Sequence, residues 1–248
     1  MLNWSAIKSE ENSGIWPSEL SSAKLITRVH TIIILHGFAM SNYFNMVKHA
    51  LMLKGCEFSE NKLYPQTPQL LALTATGKIP AITTSSGHHL SETSVILDYI
   101  EEIYPQPSLY PQTAERRAQT RQLIKVIELY LELPSRRLMG DFFARRQPQD
   151  ALAAEVLKSF TKGCEVINQL TDIQPYLLGK DLTVADIFMR YALAIPSMVS
   201  PRLLNFDPIS AIQGLDDWQK MMADSDIARQ IDADKLENKP EFMAKMSS

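Results

Sequence analysis

Two short segments of the sequence combine residue types that suit the binding of a small peptide. The first is Lys78-Ile79-Pro80, where a proline lies between short apolar pieces at the start of a predicted strand. The second is Glu92-Thr93, which precedes a strongly apolar helical pattern. A strand edge offers unpaired backbone groups to an extended peptide, and a helix N-terminus favours an anion. Together the segments predict a clamp for a small peptide that carries a carboxylate.

Glu92 and Thr93 are expected to hold the charged end of that ligand. Ser91 is the predicted N-cap of the following helix, which places both residues in the first turn. A ligand carboxylate would then bind the Thr93 hydroxyl and N–H, while Glu92 would pair with an adjacent ammonium group. The sequence leaves a second interpretation open, in which Glu92 only offsets the helix dipole and Thr93 only caps the helix.

Hydrophobic periodicity predicts the elements that must position these residues. A β-branched run at 31–35 is typical of a buried strand, and His36-Gly37 is expected to end it. Further strands are predicted at 56–64, 79–84 and 88–90, and helices at 41–54, at 66–76 and from Ser91 to about Ile103. The order βαβαββα is the thioredoxin-like α/β arrangement, with its first two strands parallel because a helix connects them.

The second half of the chain is predicted to be all-helical. After a proline-rich joint at 105–112 the strand signals stop, and helical patterns cover 113–138, 150–171, 183–199 and 215–230. Pro134 should bend or end the first of these helices, since it lacks a backbone donor. We therefore expect an extension over residues 1–30, a thioredoxin-like domain over 31–110 and an all-α C-terminal domain over 113–248.

One motif of the helical half is a predicted capping box at 182–187. Thr183 is expected to cap the N3 amide, while the Asp186 carboxylate reaches back to the Thr183 backbone N–H. This motif serves folding rather than catalysis.

Composition and charge argue against several classes of partner. The chain has 25 Lys and Arg against 28 Asp and Glu, so no basic surface for nucleic acid or an anionic membrane is predicted. The apolar run at 31–35 is too short to span a bilayer, and the first 30 residues do not resemble a signal peptide. Cys56 and Cys164 have no disulfide or metal-ligand spacing, and the histidines lack a second ligand at helical spacing. We expect a cytoplasmic protein that binds no metal.

The two clamp segments and the segment that begins at Ser41 resemble the glutathione transferase family over about residues 31 to 240. The resemblance implies a cis Ile79-Pro80 bond and glutathione as the cosubstrate, held by Lys78, Ile79, Pro80, Glu92 and Thr93. It also implies a homodimer and an apolar electrophile site between the domains, which Phe38, Met40, Tyr43 and residues of the 113–138 helix could line. The family usually has Glu-Ser where this chain has Glu92-Thr93, so we expect glutathione binding to be altered rather than lost.

Ser41 is the predicted catalytic residue. Its spacing to Val47 resembles the serine-type, theta- and zeta-like members of the family. A hydroxyl at a helix N-terminus can donate a hydrogen bond to a thiolate, and such donors lower a thiol pKa from its usual value of about 8.5. The family usually has Pro or Ser after this serine, whereas Asn42 and Tyr43 follow here, so either could share or replace the thiolate contact. Ser41 could also be a plain N-cap.

The resemblance implies a detoxifying glutathione transferase that conjugates the glutathione thiolate to small apolar electrophiles. The unusual residues Asn42, Tyr43 and Thr93 leave open a binding or carrier module with little turnover. Glutathione-dependent isomerisation or disulfide reduction on the same scaffold would use the same thiolate and also stays open.

Overall fold

A computed structural model describes residues 32–246 and contains one four-stranded sheet in the order β2-β1-β3-β4. The strands are Ile33–Gly37 (β1), Phe58–Lys62 (β2), Ala81–Thr83 (β3) and His89–Ser91 (β4). The first three helices are Asn42–Leu53 (α1), Pro68–Leu71 (α2) and Thr93–Ile103 (α3). β1 and β2 are parallel, and the other two pairs are antiparallel. The predicted βαβαββα order is confirmed, and the extension predicted for residues 1–30 lies outside the described residues.

The register of the sheet brings three separate segments to one edge. Ala81 of β3 pairs with His36 of β1 on one side and with Ser91 of β4 on the other. Beyond this row lie the chain that leaves β1, the chain that enters β3 and the chain that leaves β4. The segments 38–41, 78–80 and 92–93 therefore all lie at the same edge of the sheet.

The first strand extends further than the sequence predicted. It includes His36 and Gly37, which we expected to end it. His36 is satisfied inside the sheet, because its Nε2 lies 2.7 Å from Thr83 Oγ1 and its Nδ1 lies 3.1 Å from Asn61 Nδ2. A Cβ at Gly37 would lie 2.5 Å from the Phe44 ring, so glycine allows α1 to pack closely on the strand.

Helix α1 has the predicted start and end. Its N-cap is Ser41, whose Oγ accepts a hydrogen bond from the Phe44 N–H at 3.3 Å. At the other end Gly55 has a φ of 62°, the Gly55 N–H donates to Met52 and the Cys56 N–H donates to Leu51. This pair of hydrogen bonds is the Schellman arrangement, which satisfies carbonyl groups of the last turn.

The helical half contains more breaks than the sequence predicted. The 113–138 helix is divided into α4 and α5 by a π-helical turn at Glu128–Glu132, 183–199 is divided into α8 and α9, and 215–230 belongs to α10 and a longer α11. The helices are Ala114–Ile127 (α4), Leu133–Arg136 (α5), Met139–Phe143 (α6), Asp150–Leu170 (α7), Val184–Ala192 (α8), Ala194–Leu203 (α9), Leu215–Ala223 (α10) and Asp226–Met246 (α11). Among the described residues no helix is long and apolar enough to cross a membrane.

Pro134 accounts for the break between α4 and α5. It has no N–H to donate to the Tyr130 carbonyl four residues earlier, which would be its partner in an α-helix. The Ser159 hydroxyl of α7 donates to that carbonyl instead, at 3.1 Å. The helix therefore continues through a π-helical turn just before the proline, as such local rearrangements often do.

Two apolar clusters form the core of the part of the chain that the structure describes. One packs β1 and β3 against α1 and α3, and includes Leu35, Phe44 and Ile96. The larger one lies in the helical half, but Met46 and Ala50 of α1 belong to it. Cys164 is also buried there, and burial raises its pKa to about 12, as expected of a small core residue. Because α1 contributes to both clusters, the two predicted domains pack against each other through this helix. The predicted domain boundaries stay a prediction.

Candidate active site

The Ile79-Pro80 segment presents an open backbone at the shared edge of the sheet. The peptide bond is cis, as the resemblance implied. Ile79 is half-buried and lies two residues before the start of β3, while Lys78 is exposed. Among residues 32–246, no other backbone group forms a hydrogen bond with the Ile79 N–H or C=O. These two groups are therefore available to an extended ligand.

The start of α3 differs from the prediction by one residue. Ser91 is not the N-cap, because it pairs with Ala81 and stays in β4. Glu92 is the N-cap, with φ 70° and ψ 115°, and Thr93 is the first helical residue. A positive φ at a residue other than glycine costs roughly 1–3 kcal/mol and is concentrated at ligand sites. The sequence gives no direct signal of this conformation, which depends on how far β4 extends.

Among the described residues no side chain caps α3, which leaves its first N–H groups open to a ligand. The N-cap Glu92 is exposed and makes no side-chain capping bond, whereas Ser41, Thr113 and Thr183 each cap their own helices. Thr93 is buried at the first helical position. An uncapped helix start with free N–H groups favours an anion.

Ser41 lies on the chain that follows β1, at the start of α1. Its Oγ accepts the Phe44 N–H, which uses a lone pair and leaves the hydroxyl proton free to donate. Within the described part of the chain, no residue accepts a hydrogen bond from that hydroxyl. Ser41 is half-buried. It can therefore cap the helix and donate to an anionic ligand at the same time.

The Tyr43 hydroxyl is hydrogen-bonded to a buried carboxylate. Its hydroxyl donates to Glu132 Oε2 at 2.7 Å, and the Glu132 side chain is fully buried. Arg136 donates to the other Glu132 oxygen at 2.7 Å and lies 5.3 Å above the Tyr43 ring. Burial and the adjacent Glu132 raise the pKa of Tyr43 well above its usual value. Sequence reasoning missed this trio, since its members come from α1 and from the interrupted helix around Pro134.

Helix α11 covers the residues that were predicted for the electrophile site. Phe38 is buried between Tyr64 and Phe242, with ring centroids 4.7 and 5.6 Å away. The Met40 N–H donates to Asn238 Oδ1 at 3.3 Å. Both Phe38 and Met40 therefore have one side against α11, a contact between distant segments that no local sequence pattern indicates.

A cavity of about 550 Å³ opens beside Phe38, between α1, β2 and α11. Charged side chains line much of it, and Lys48 is paired there with Glu60 at 2.5 Å and Asp234 at 2.6 Å. This lining differs from the apolar surface predicted for an electrophile. Around it and elsewhere in the described residues, no group of His, Cys, Asp and Glu side chains has the arrangement of a metal site.

A family profile and a sequence relative both identify the same protein family. Residues 35–108 match the profile of the glutathione S-transferase N-terminal domain. The chain is 34% identical over 215 residues to a glutathione S-transferase of Pseudomonas putida, covering 86% of this chain and 97% of that protein. It is also 30% identical over 100 residues to the maleylacetoacetate isomerase of Pseudomonas aeruginosa, covering 38% of this chain and 47% of that protein.

A solved structure supports the fold. The chain aligns with a glutathione transferase homologue from Sulfitobacter, crystallised with bound glutathione, at a TM-score of 0.64 and 18% identity. The alignment covers 82% of this chain and 98% of that one. The thioredoxin-like sheet and the helical half thus occur together in a protein that binds glutathione.

Proposed function

The chain belongs to the glutathione S-transferase family of enzymes, and from this premise we propose that it conjugates the glutathione thiolate to small apolar electrophiles. The observation that carries the proposal is the pairing row His36–Ala81–Ser91. This row brings the Ser41 hydroxyl, the open Ile79 backbone and the uncapped start of α3 to one edge of the sheet. Each of these groups suits a different part of glutathione.

Glutathione would bind with its extended backbone along Ile79. The Ile79 N–H and C=O would pair with the cysteinyl residue of the ligand, as a strand edge does with an added peptide. The γ-glutamyl carboxylate would lie on the N–H and hydroxyl of Thr93, and Glu92 would accept the adjacent ammonium group. Lys78 is exposed beside this path and would contact the peptide from its open side.

The thiol would then lie near Ser41 at the N-terminus of α1. The Ser41 hydroxyl would donate to the sulfur, and together with the helix dipole this stabilises the thiolate relative to the thiol. The thiolate attacks an electrophilic carbon, the carbon–sulfur bond forms, and the leaving group departs with its electron pair. The thiol proton goes to solvent when the thiolate forms.

Conjugation of glutathione to 1-chloro-2,4-dinitrobenzene tests the proposal directly. We expect purified enzyme to accelerate formation of the thioether, with a rate that rises with pH until the bound thiol is ionised. Absorbance of the product measures the rate against a reaction without enzyme. A folded protein that binds glutathione in calorimetry yet gives only the background rate would favour the carrier module instead.

Tyr43→Phe should separate the roles of Tyr43 and Ser41. Because the Tyr43 hydroxyl already donates to Glu132, we expect the conjugation rate to change by less than about threefold. Loss of this buried hydrogen bond should lower the free energy of unfolding by about 1–3 kcal/mol. Chemical denaturation and the conjugation assay measure the two effects. A rate loss as large as that of a Ser41 variant would assign the thiolate contact to Tyr43.

A glutathione-dependent isomerase is the second candidate. The 30% identity to a maleylacetoacetate isomerase over 100 residues favours it. An isomerase returns glutathione unchanged after each cycle, whereas a transferase consumes one glutathione per product. Measuring glutathione during turnover of an unsaturated keto acid would therefore distinguish the two. From the family we also propose a cytoplasmic homodimer.

A further inference from the structure

One face of α11 follows the segment that contains Ser41. Lys235 Nζ lies 3.4 Å from Asn42 Oδ1, Asn238 accepts the Met40 N–H, and Phe242 stacks on Phe38. The three α11 residues occur at helical spacing, and their contacts run along the segment in reverse order. Ser41 lies between two residues that α11 contacts directly, Met40 and Asn42. The helix therefore lies alongside the N-terminus of α1.

Lys235 does not make the kind of ion pair that three other charged residues of α11 make with described residues outside the helix. Asp232 pairs with Arg190, Asp234 with Lys48, and Glu241 with Lys62. No carboxylate among the described residues lies within ion-pair distance of Lys235, although its side chain is half-buried. Burial lowers the pKa of Lys235, and the Arg190 charge lowers it further, while Asp232 opposes this change. A partly buried cation without an anionic partner is costly.

We propose that Lys235 supplies positive charge to the thiolate of bound glutathione, which gives Lys235 the ion pair that it does not make with any residue of 32–246. The inference rests on the proposed function, because it assumes that the sulfur lies at Ser41. Asn42 is the first residue of α1, so the ammonium lies beside the helix end that Ser41 caps. The charge of Lys235 and the helix dipole then act in the same direction.

Among the described residues, the neighbouring cations each have a carboxylate within ion-pair distance, whereas Lys235 has none. On α1, Lys48 is paired with two carboxylates, Glu60 of β2 and Asp234 of α11, which leaves one negative charge. Arg190 of α8 is balanced by Asp232, and burial lowers the pKa of His49 to about 4, so that His49 is neutral at pH 7. On the other side of α1, the Glu132 charge is balanced by Arg136. These charges sum to zero together with Lys235, so a thiolate at Ser41 would meet Lys235 as a nearby cation without a carboxylate in direct contact among the described residues, rather than a net positive surface.

The test compares Lys235→Met with the charge-conserving Lys235→Arg and with Lys239→Met, which removes an exposed lysine from the same helix. The thiolate absorbance near 240 nm, followed with pH in the glutathione complex, reports the thiol pKa. We expect Lys235→Met to raise that pKa by about 0.5–1 unit, since an opposite charge nearby favours the ionised form. Lys235→Arg should keep most of the wild-type value, and Lys239→Met should not change it.

The rate of conjugation gives a second readout. At pH 6.5 we expect Lys235→Met to lower kcat/KM about three- to tenfold, following the smaller thiolate fraction. The difference should disappear near pH 9, where the thiol is ionised in both proteins. A loss of packing alone would lower the rate equally at both pH values.

The outcomes separate this inference from the function on which it rests. If wild-type protein does not bind glutathione or does not lower its thiol pKa, the proposed function fails. If the wild type lowers the thiol pKa and Lys235→Met does so equally, Lys235 has no part in stabilising the thiolate. An unchanged thiol pKa with a raised KM for a carboxylate-bearing electrophile would assign Lys235 to the second substrate and overturn the proposal. If Lys235→Met does not fold, Lys235→Gln is judged by the same criteria.

Discussion

Ser41→Ala is expected to raise the pKa of the bound glutathione thiol by about 1–2 units and to slow conjugation at pH 6.5 by about 10- to 100-fold. A hydrogen bond to a charged group contributes about 1.5–3 kcal/mol, and one pKa unit corresponds to about 1.4 kcal/mol. In the free protein the Ser41 hydroxyl proton has no acceptor among the described residues. The full strength of this bond is therefore available to the thiolate.

The same substitution also removes a helix cap, and a matched variant isolates that effect. Thr113 caps α4 as Ser41 caps α1, and each oxygen accepts a backbone N–H at 3.3 Å. Thr113→Ala and Ser41→Ala should each lower the free energy of unfolding by about 0.5–2 kcal/mol. The Thr113 variant should leave the thiol pKa unchanged. Ser41→Thr retains a hydroxyl and should recover part of the rate.

Ultraviolet titration of the glutathione complex decides the role of Ser41. A thiol pKa in Ser41→Ala equal to that of the wild type would remove Ser41 from the mechanism. Because Tyr43 is held by Glu132, Asn42 would then be the remaining candidate in this segment. Asn42→Ala, tested in the same titration, would show whether the amide replaces the hydroxyl.

Features that depend on residues close together in sequence could be predicted. The caps at Ser41 and Thr183 and the stop at Gly55 follow from local backbone chemistry, and all three occur in the structure. The alternation of short apolar runs and helical patterns gave the element order of the first half. The cis Ile79-Pro80 bond came from the family resemblance rather than from periodicity.

Features that depend on pairing between distant residues could not be predicted. Whether Ser91 caps α3 or ends β4 is decided by its partner Ala81, which no local pattern identifies. The contact between Tyr43 and Glu132 joins positions 89 residues apart. The length of α11 and its contacts with the first half of the chain were not predicted. Its surface is largely polar, and those contacts are mainly ion pairs and hydrogen bonds.

Asp186 accepts four hydrogen bonds in the centre of the helical half. Its Oδ1 accepts the Leu177 N–H at 2.8 Å and the Trp218 indole N–H at 2.9 Å. Its Oδ2 accepts the Thr183 N–H at 2.9 Å and the Thr183 hydroxyl at 3.0 Å. The capping box is therefore confirmed, and the Thr183 hydroxyl also accepts the N–H of Ala185 at the second helical position. One carboxylate joins α8, the preceding loop and α10.

Asp186→Ala should lower the free energy of unfolding by about 3–5 kcal/mol. The change leaves donors on Leu177, Thr183 and Trp218 unpaired in a buried region, and each unpaired buried group costs about 1–3 kcal/mol. In a protein of this size we expect the Tm to fall by roughly 10 °C. Asp181→Ala is the matched control, because Asp181 is exposed just before the same helix. A surface substitution of that kind should change stability by less than about 0.5 kcal/mol.

The chemistry of the folded fraction should not change in Asp186→Ala, because the hydrogen bonds of this carboxylate within the described part of the chain all go to groups of the helical half. Below its Tm, the variant should therefore show the wild-type thiol pKa and the wild-type kcat per folded molecule. A normal Tm would mean that water or a neighbouring group accepts hydrogen bonds from the donors that lose the Asp186 carboxylate. A shifted thiol pKa at full folding would mean instead that α8 transmits its position to α1, against which it packs. In that case the separation between the folding role of Asp186 and the proposed chemistry at Ser41 would no longer hold.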